Sequence, residues 1–99
     1  MKYELSKEAS QDLENIWLYT YENWSQEQAD RYFNLLIDEI EFITQKPQAG
    51  KDQGHIREGY FRTRVKSHYI FYRINLKKNL IEIIRILHQR MDIEARLTD

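Results

Sequence analysis

The sequence predicts an α+β fold in which a short strand and an antiparallel helical hairpin pack on a small antiparallel sheet, in the order β-α-α-β-β-β. In the first half, apolar residues recur at three- and four-residue spacing, which is typical of amphipathic helices. In the second half, apolar and polar residues alternate as in half-buried strands. Residues 47–59 separate the halves and hold the only proline and all three glycines. With 99 residues, we expect one domain over residues 1–99.

The composition restricts the class of protein. There is no cysteine, so disulfides and thiolate metal sites are excluded, and a reducing compartment is expected. No apolar run approaches the roughly 18–20 residues of a membrane span. The segment Met1–Tyr3 leads into a strand-like pattern rather than a signal peptide. We therefore expect a soluble protein of the cytoplasm.

The first predicted elements are a strand and a helix. Lys2–Leu5 alternates polar and apolar residues, which favours a short strand. Ser6 offers an N-cap oxygen for a helix over roughly Lys7–Asn23. The apolar stripe of this helix consists of Ala9, Leu13, Ile16, Trp17, Tyr21 and Trp24. We expect its aromatic residues to pack in the core or between the helices rather than to stack on nucleic-acid bases.

A second helix is predicted to begin after Ser25, which with Gln28 fits a capping box. Its stripe is Ala29, Phe33, Leu36, Ile37, Ile40 and Ile43. Pro47 ends it, because proline disfavours helical geometry in the preceding residue. Only residues 23–25 separate the two helices, so they should form an antiparallel hairpin. The loop Pro47–Gly59 is either a plain crossover or a contact for a partner.

Residues Gly59–Asn75 are predicted to form a β-hairpin. With Ser67–His68 as a two-residue turn, Val65 faces Ile70, although a three-residue turn is also compatible. Directly opposed residues share a face, which gives an inward layer of Phe61, Thr63, Val65, Ile70, Tyr72 and Ile74. The outer layer is Arg62, Arg64, Lys66, Tyr69, Phe71 and Arg73. A one-residue slip would bury the arginines, which the cost of burying unpaired charge forbids.

The last strand, Leu80–Asp92, allows two parities. We prefer the parity with Ile84 and Ile86 inward and Arg85 outward. In that parity Ile83 and Leu87 lie on the outer face with Arg85 and Phe71, and an exposed apolar and basic face of this kind is suited to protein binding. The opposite parity buries Arg85 and requires a carboxylate, for which the acidic helices are a source. Asp92 is expected to cap a final helical turn over Ile93–Leu97.

Charge is segregated along the chain, although the net charge is −1. Residues 1–50 hold four Lys/Arg against ten Asp/Glu, whereas residues 51–90 hold ten against three. The second half can therefore steer an anionic partner such as a polyanion or an acidic protein. Helix surfaces that are acidic by chance would leave the same pattern, and charge alone does not choose between these interpretations.

A catalytic site is not predicted. His88 or His68 would have to act as general acid or base beside the arginines, and in-line phosphoryl chemistry needs a second such group. The only carboxylates between residues 51 and 90 are Asp52, Glu58 and Glu82, and no phosphate loop or metal-ligand cluster is recognisable. We expect His88 to be a strand-end residue bonded to backbone, and His55 and His68 to be solvated. No catalytic residue, metal or cofactor is assigned.

The order of elements resembles the RelE/ParE superfamily of bacterial toxins. The segments Ser67–Ile74 (SHYIFYRI) and Ile83–Asp92 (IIRILHQRMD) are similar to its ParE branch, and the resemblance runs from about Tyr3 to Asp92. It implies a non-enzymatic toxin of a type II toxin–antitoxin system that inhibits DNA gyrase by contacting gyrase or gyrase-bound DNA. It also implies a ParD-like antitoxin that neutralises the toxin. The partner-binding residues expected from the outer layer and the chain's ending are Arg62, Arg64, Tyr69, Phe71, Arg73, Arg85, His88, Gln89, Arg90 and Met91.

The same resemblance supplies the alternatives. In the RNA-cleaving branch of the superfamily, a tyrosine commonly follows in the last strand or tail, often beside a histidine. No tyrosine follows Tyr72 here, and His88 is followed by Gln89. That departure counts against nuclease activity, so a ribosome-dependent endoribonuclease is only the second hypothesis. A degenerate member that only binds antitoxin is the third.

Overall fold

The computed structural model describes residues 1–98, and they form a five-stranded sheet with two long helices on one face. The elements are β1 (Lys2–Leu5), α1 (Lys7–Asn23), α2 (Gln26–Gln45), β2 (Lys51–Asp52), β3 (Tyr60–Val65), β4 (His68–Asn75), β5 (Leu80–His88) and α3 (Ile93–Thr98). The strand order is β1-β5-β4-β3-β2. The predicted β-α-α-β-β-β order is confirmed. The sheet is mixed, because β1 pairs in parallel with β5.

Both long helices begin and end where their sequence signals predict. The Ser6 hydroxyl accepts the backbone N–H of Ala9 at 2.9 Å and donates to the carbonyl of Ile84 at 2.7 Å, which ties α1 to the sheet. The Ser25 hydroxyl accepts the N–H of Gln28 at 3.1 Å and begins α2. The helix α2 ends at Gln45, two residues before Pro47, and a short 3₁₀ turn over Pro47–Ala49 follows. Side-chain caps of this kind contribute about 1 kcal/mol each.

The main core lies between the helical hairpin and the inward face of the sheet. Its fully buried members include Leu36 and Ile40 of α2, Ile70 and Tyr72 of β4, and Ile81 of β5. The Tyr72 hydroxyl donates to the carbonyl of Pro47 at 2.8 Å and accepts the N–H of Gly50 at 3.0 Å. The inward layer of the hairpin is therefore the predicted one. Its Tyr72 also holds the start of the loop 47–59 through these two hydrogen bonds.

The register of the β3–β4 hairpin differs from the predicted register by two residues. Val65 lies opposite His68, so the two-residue turn is Lys66–Ser67 rather than Ser67–His68. Lys66 takes a positive φ of 51°, which the first position of a type II′ turn requires. Because side chains alternate with period two, a two-residue shift leaves every side chain on its predicted face. The Tyr32 hydroxyl donates to the Val65 carbonyl at 3.0 Å and contacts His68, so a helix helps to hold this register.

Strand β5 contains a β-bulge that neither predicted parity includes. Phe71 pairs with Arg85 while the next residue, Tyr72, pairs with Ile83, so Ile84 has no opposite residue. As a result, Ile83 and Ile86 both lie in the main core although they are three residues apart. The preferred assignment, with Ile84 inward and Ile83 outward, is wrong, because an extra residue in one strand breaks the alternation.

The outer face of the sheet is partly covered by the chain's own ending. Tyr60, Phe71, Leu87 and Leu97 form a second buried cluster, with Ile93 packed against it. The expected helical turn is present as α3, and the Asp92 carboxylate accepts the N–H of Ala95 at 3.2 Å. The expected exposed apolar face is therefore wrong, because α3 shields Phe71 and Leu87 from solvent.

The helices between residues 1 and 98 include none that is both long enough and apolar enough to cross a membrane.

Candidate functional site

An ion pair joins the first helix to the last strand. The Arg85 guanidinium donates two hydrogen bonds to the Asp12 carboxylate, at 2.8 Å from Nε and 3.0 Å from Nη2. The same carboxylate accepts the backbone N–H of Ile86 at 2.9 Å. The hydrogen bonds to Asp12 raise the pKa of Arg85. The preferred outward direction of Arg85 is thus wrong, and Asp12 is the carboxylate from the helices that the alternative direction requires.

Two histidines that are distant in sequence meet beside this ion pair. The rings of His68 and His88 contact edge to face, with centroids 5.1 Å apart. Neighbouring positions on β4 and β5 bring them together, since His68 lies directly opposite His88 in the sheet. The expectation that His68 is solvated is wrong, because it belongs to a strand and is half-buried under Tyr32. The expectation for His88 is confirmed, since its Nδ1 accepts the backbone N–H of Arg90 at 3.1 Å.

The environment of His68 keeps its imidazole neutral. Burial, with a smaller contribution from the neighbouring His88, lowers the pKa of His68 to about 4. Its Nδ1 lies 2.6 Å from the Tyr32 hydroxyl oxygen. When the Tyr32 hydroxyl donates to the Val65 carbonyl, which can only accept, the tautomer of His68 that donates to Tyr32 carries its proton on Nδ1. Burial also raises the pKa of Tyr32.

The histidines line an open groove between the helical hairpin and the end of the sheet, which we call the hairpin groove. Its volume is about 1030 Å³. Large apolar side chains border it and are exposed, namely Tyr19 at 60%, Trp24 at 62% and Met91 at 40%. Its remaining lining includes Ile16, Tyr32, Leu35, Lys66, His68, Arg85, His88 and Arg96. The expectation that Trp24 packs in the core or between the helices is wrong, because it lies beyond the last residue of α1 and is exposed. Among the aromatic rings described, it contacts only that of Tyr19, in an edge-to-face arrangement with centroids 6.0 Å apart.

The outer face of the sheet carries a second, chemically different surface. The Arg62 guanidinium carbon lies 4.2 Å from the centre of the Tyr69 ring, and that of Arg64 lies 5.7 Å from it. Arg64 also donates to the carbonyl of Lys66 at 2.6 Å and to the side chain of Gln89 at 2.7 Å. Cation–π contacts and these hydrogen bonds hold both guanidinium groups in place.

The ten predicted partner-binding residues fall into separate places. Arg62, Arg64, Tyr69 and Gln89 lie together on the outer face, whereas Arg85, His88 and Met91 line the hairpin groove. Arg90 is exposed just after β5. Arg73 is exposed but pairs with Glu82 at 2.7 Å, and Phe71 is fully buried and therefore inaccessible to a partner in this structure.

Sequence reasoning missed the helical residues of the groove. The sequence pattern assigns no role to Asp12, Tyr19 or Tyr32, because helical periodicity does not tell which loop or strand end a given side of a helix faces. One signal existed for Asp12. The alternative parity for Arg85 required a carboxylate from the helices, and Asp12 is that carboxylate.

Metal ligation finds no support in the geometry. Across residues 1–98, no group of three or more His, Cys, Asp or Glu side chains is arranged to hold a metal ion.

Comparison with known families assigns the chain. A family model described as the ParE toxin of the type II toxin–antitoxin system, parDE, matches residues 3–93. The chain belongs to the ParE toxin family. The fold and the predicted resemblance to the ParE branch agree with this assignment, which covers nearly every element from β1 to the start of α3.

Individual relatives support membership in the ParE family over their full length. Toxin ParE1 of Caulobacter vibrioides is 41% identical over 95 residues, which cover 96% of each chain. Toxin ParE1 of Mycobacterium tuberculosis is 38% identical over 96 residues, which cover 97% of each chain. Among solved structures, a chain from the chromosomal ParDE toxin–antitoxin system of P. aeruginosa aligns with a TM-score of 0.76 at 17% identity. That alignment covers 89% of this chain and 95% of the other and shows the shared fold.

Proposed function

We propose that this ParE-family protein inhibits DNA gyrase in the cytoplasm and is neutralised by a ParD-like antitoxin that lies in the hairpin groove. The observation that carries the antitoxin part is the groove itself, which exposes apolar side chains and cations beside each other. The gyrase part rests on membership in the ParE family. The protein acts by binding and not by catalysis.

The groove has enough volume to receive part of a helix. A helix about 10 Å across fills a volume of 1030 Å³ over roughly 13 Å, or about two to three turns. Amphipathic helices bind such grooves through apolar anchors spaced three or four residues apart. Tyr19, Trp24 and Met91 provide apolar contact area on the toxin side. An acidic helix is favoured over a basic one, because Lys66 and Arg96 border the groove.

The antitoxin site is tested by removing its aromatic border. We expect the double variant Tyr19→Ala/Trp24→Ala to weaken binding to the protein encoded by the neighbouring reading frame by at least 100-fold, since two exposed aromatic anchors are lost. Phe42→Ala is the matched control, because Phe42 is 45% exposed on α2 and does not line the groove. Titration calorimetry gives both dissociation constants. Equal affinity of the double variant and the control would place the antitoxin elsewhere.

Gyrase inhibition is tested with purified components. We expect the protein to stop supercoiling of a relaxed plasmid by gyrase and to accumulate a complex containing cleaved DNA. The double variant Gln89→Ala/Met91→Ala, at the exposed ending of β5, should reduce both effects, whereas Leu76→Ala/Lys77→Ala in the exposed β4–β5 turn should not. Unchanged supercoiling and no cleaved complex with the unaltered protein would refute gyrase as the target.

The endoribonuclease hypothesis gains one observation, which is the contact between His68 and His88. Three features of the pair oppose it. Rings in edge contact leave no space for a scissile phosphate between them. A base with a pKa of about 4 has little drive to remove a hydroxyl proton near pH 7. Nδ1 of each ring is already engaged, with Tyr32 and with the N–H of Arg90.

A translating extract decides between the two activities. We expect no mRNA cleavage on addition of the protein, and no difference between the unaltered chain and His88→Ala or Arg85→Ala. Ribosome-dependent cleavage that either substitution abolishes would establish the nuclease. Unimpaired growth after induction without antitoxin, with no effect in either assay, would identify a member that retains only antitoxin binding.

A further inference from the structure

The arginines of this protein fall into two groups according to their partners. Arg31 pairs with Glu27, Arg73 with Glu82 and Arg85 with Asp12, so these three charges are locally neutralised. Within residues 1–98, a second group of cations has no carboxylate within 4.0 Å. Four of them lie close together on or beside the outer face of the sheet at β2 and β3, and we call these four the cationic patch: Lys51, Arg57, Arg62 and Arg64.

The sheet arranges the cationic patch in rows. Lys51 lies directly opposite Arg62 in the β2–β3 pair, so the two side chains share the outer face. Arg64 follows two residues along the same strand, and Arg57 lies 5.8 Å above the Tyr60 ring on the same side. Tyr69 stands between the arginines and orients Arg62 by stacking. A guanidinium group held on an aromatic ring keeps its N–H donors available for a planar or tetrahedral anion.

The cationic patch lacks the exposed apolar side chains that would anchor an acidic protein partner. Its large apolar neighbours, Tyr60, Phe71 and Leu87, are buried beneath α3. Protein interfaces take most of their energy from buried apolar and aromatic anchors, and such anchors are exposed in the hairpin groove instead. The Tyr69 face is occupied by Arg62 and is closed to base stacking. Cations without apolar anchors or free rings match a phosphate backbone, where the affinity is electrostatic.

We propose that the cationic patch binds the phosphate backbone of duplex nucleic acid directly and without reading its sequence. This inference goes beyond gyrase inhibition and antitoxin binding, because it requires neither protein. It gives the toxin two separate surfaces, with an acidic helix received in the hairpin groove and a polyanion on the outer face of the sheet.

Fluorescence anisotropy with two labelled 20-base-pair duplexes of unrelated sequence tests the proposal at 25–200 mM KCl. We expect equal affinity for both duplexes and a slope of log K against log salt of about −2.7 to −3.6, from three or four neutralised phosphates at about −0.9 each. Arg62→Gln/Arg64→Gln should weaken binding at least tenfold and make the slope less negative by about 2.

The matched control is Arg31→Gln/Arg73→Gln, which removes the same formal charge from two arginines that already have carboxylate partners. We expect it to change affinity by less than threefold. If the first double variant does not fold, Lys51→Gln/Arg64→Gln replaces it, since both side chains are exposed. No binding at 25 mM KCl, equal losses in variant and control, or tighter binding of a poly-glutamate peptide than of DNA would each overturn the proposal. Because neither gyrase nor antitoxin is present, failure here leaves the proposed function standing.

Discussion

The three ion pairs found within residues 1–98 have similar distances but different surroundings. The Arg31–Glu27 pair at 3.0 Å is exposed on α2, with side-chain exposures of 65% and 82%. The Arg85–Asp12 pair at 2.8 Å is shielded, with exposures of 20% and 12%, and it joins elements 73 residues apart. Solvent screens the first pair almost completely, whereas breaking the second leaves a charge that water cannot fully reach. Of these two pairs, only Arg85–Asp12 should contribute appreciably to the free energy of unfolding.

The substitution Asp12→Asn tests this difference. It removes the charge that faces Arg85 and weakens acceptance of the Ile86 N–H, so we expect a loss of about 3 kcal/mol in unfolding free energy. Glu27→Gln is the matched control, and it should change stability by less than about 0.5 kcal/mol. Urea denaturation followed by circular dichroism measures both. Similar losses for the two variants would show that the Arg85 pair is as well solvated as the surface pair.

The lowered pKa of His68 makes stability depend on pH. The pKa is about 4 in the folded chain and about 6.5 in the unfolded chain, so below pH 6.5 the unfolded chain takes up a proton that the folded chain does not. Stability from this residue is complete above pH 6.5 and declines as the pH falls toward 4. Allowing for solvent around a half-buried ring, we expect a loss of about 1 kcal/mol between pH 7.5 and pH 5.

The variant His68→Gln should lose that part of the pH dependence while keeping a hydrogen-bonding group for Tyr32. His55→Gln is the control, because His55 is exposed in the loop between β2 and β3. Urea titrations at pH 7.5 and pH 5 compare the two variants. The same decline in both would show that His68 is not the residue responsible.

At the scale of elements, the bulge in β5 determines which of its apolar side chains lie on each face of the sheet, and the helix α3 buries those on the outer face. The bulge directs both Ile83 and Ile86 into the main core, while Leu87 and Ile84 join the second cluster. The short helix α3 then covers that cluster with Ile93 and Leu97. A six-residue helix has little stability of its own, so these apolar contacts must hold it in place.

The substitution Leu97→Ala tests how α3 is held. Leu97 is 4% exposed, and we expect its truncation to cost about 2–3 kcal/mol and to raise amide exchange in α3 and around Phe71. Leu76→Ala, at a side chain that is 80% exposed, should leave both quantities unchanged. Hydrogen exchange that stays slow around Phe71 in Leu97→Ala would contradict the role of α3 as the cover of this cluster.

At the scale of the whole molecule, the charge segregation of the sequence becomes a spatial division. The acidic residues lie mainly on the helical hairpin. Of the arginines that have no carboxylate partner within residues 1–98, Arg57, Arg62 and Arg64 lie on or beside the opposite face of the sheet. The hairpin groove lies between the two and combines apolar anchors with cations from the sheet and the ending. A near-neutral protein can thus attract an anionic partner to one side only.

The kinetics of antitoxin binding should follow from this division. We expect the association rate to fall at least tenfold between 50 and 500 mM NaCl, because salt screens the long-range attraction. The dissociation rate should change by less than threefold, because apolar anchors hold the complex once it has formed. Stopped-flow tryptophan fluorescence of the variant Trp17→Phe, in which Trp24 is the only tryptophan of this chain, measures both rates. An association rate that is independent of salt would refute electrostatic steering.

The positions of several residues of the candidate site could be predicted from the sequence. The positions that could not be predicted share one cause. The positions of Arg62, Arg64 and Tyr69 followed from alternation along one hairpin. The burial of Phe71 and the pairing of Arg85 did not follow, because each depends on a residue from a distant element, Leu97 in one case and Asp12 in the other. The encounter of His68 with His88 required the register of β4 on β5, which a single strand does not encode.

The sequence by itself determined the order of elements, the ends of both long helices, the inward layer of the hairpin and the family. These features depend on neighbours within a few residues, through caps, proline, periodic burial and short motifs. Tertiary structure alone decided the parallel pairing of β1, the bulge in β5, the cover provided by α3 and the formation of the hairpin groove. Each of these depends on contacts between segments that are far apart in the chain. Such contacts stabilise the fold only when both segments are already in place.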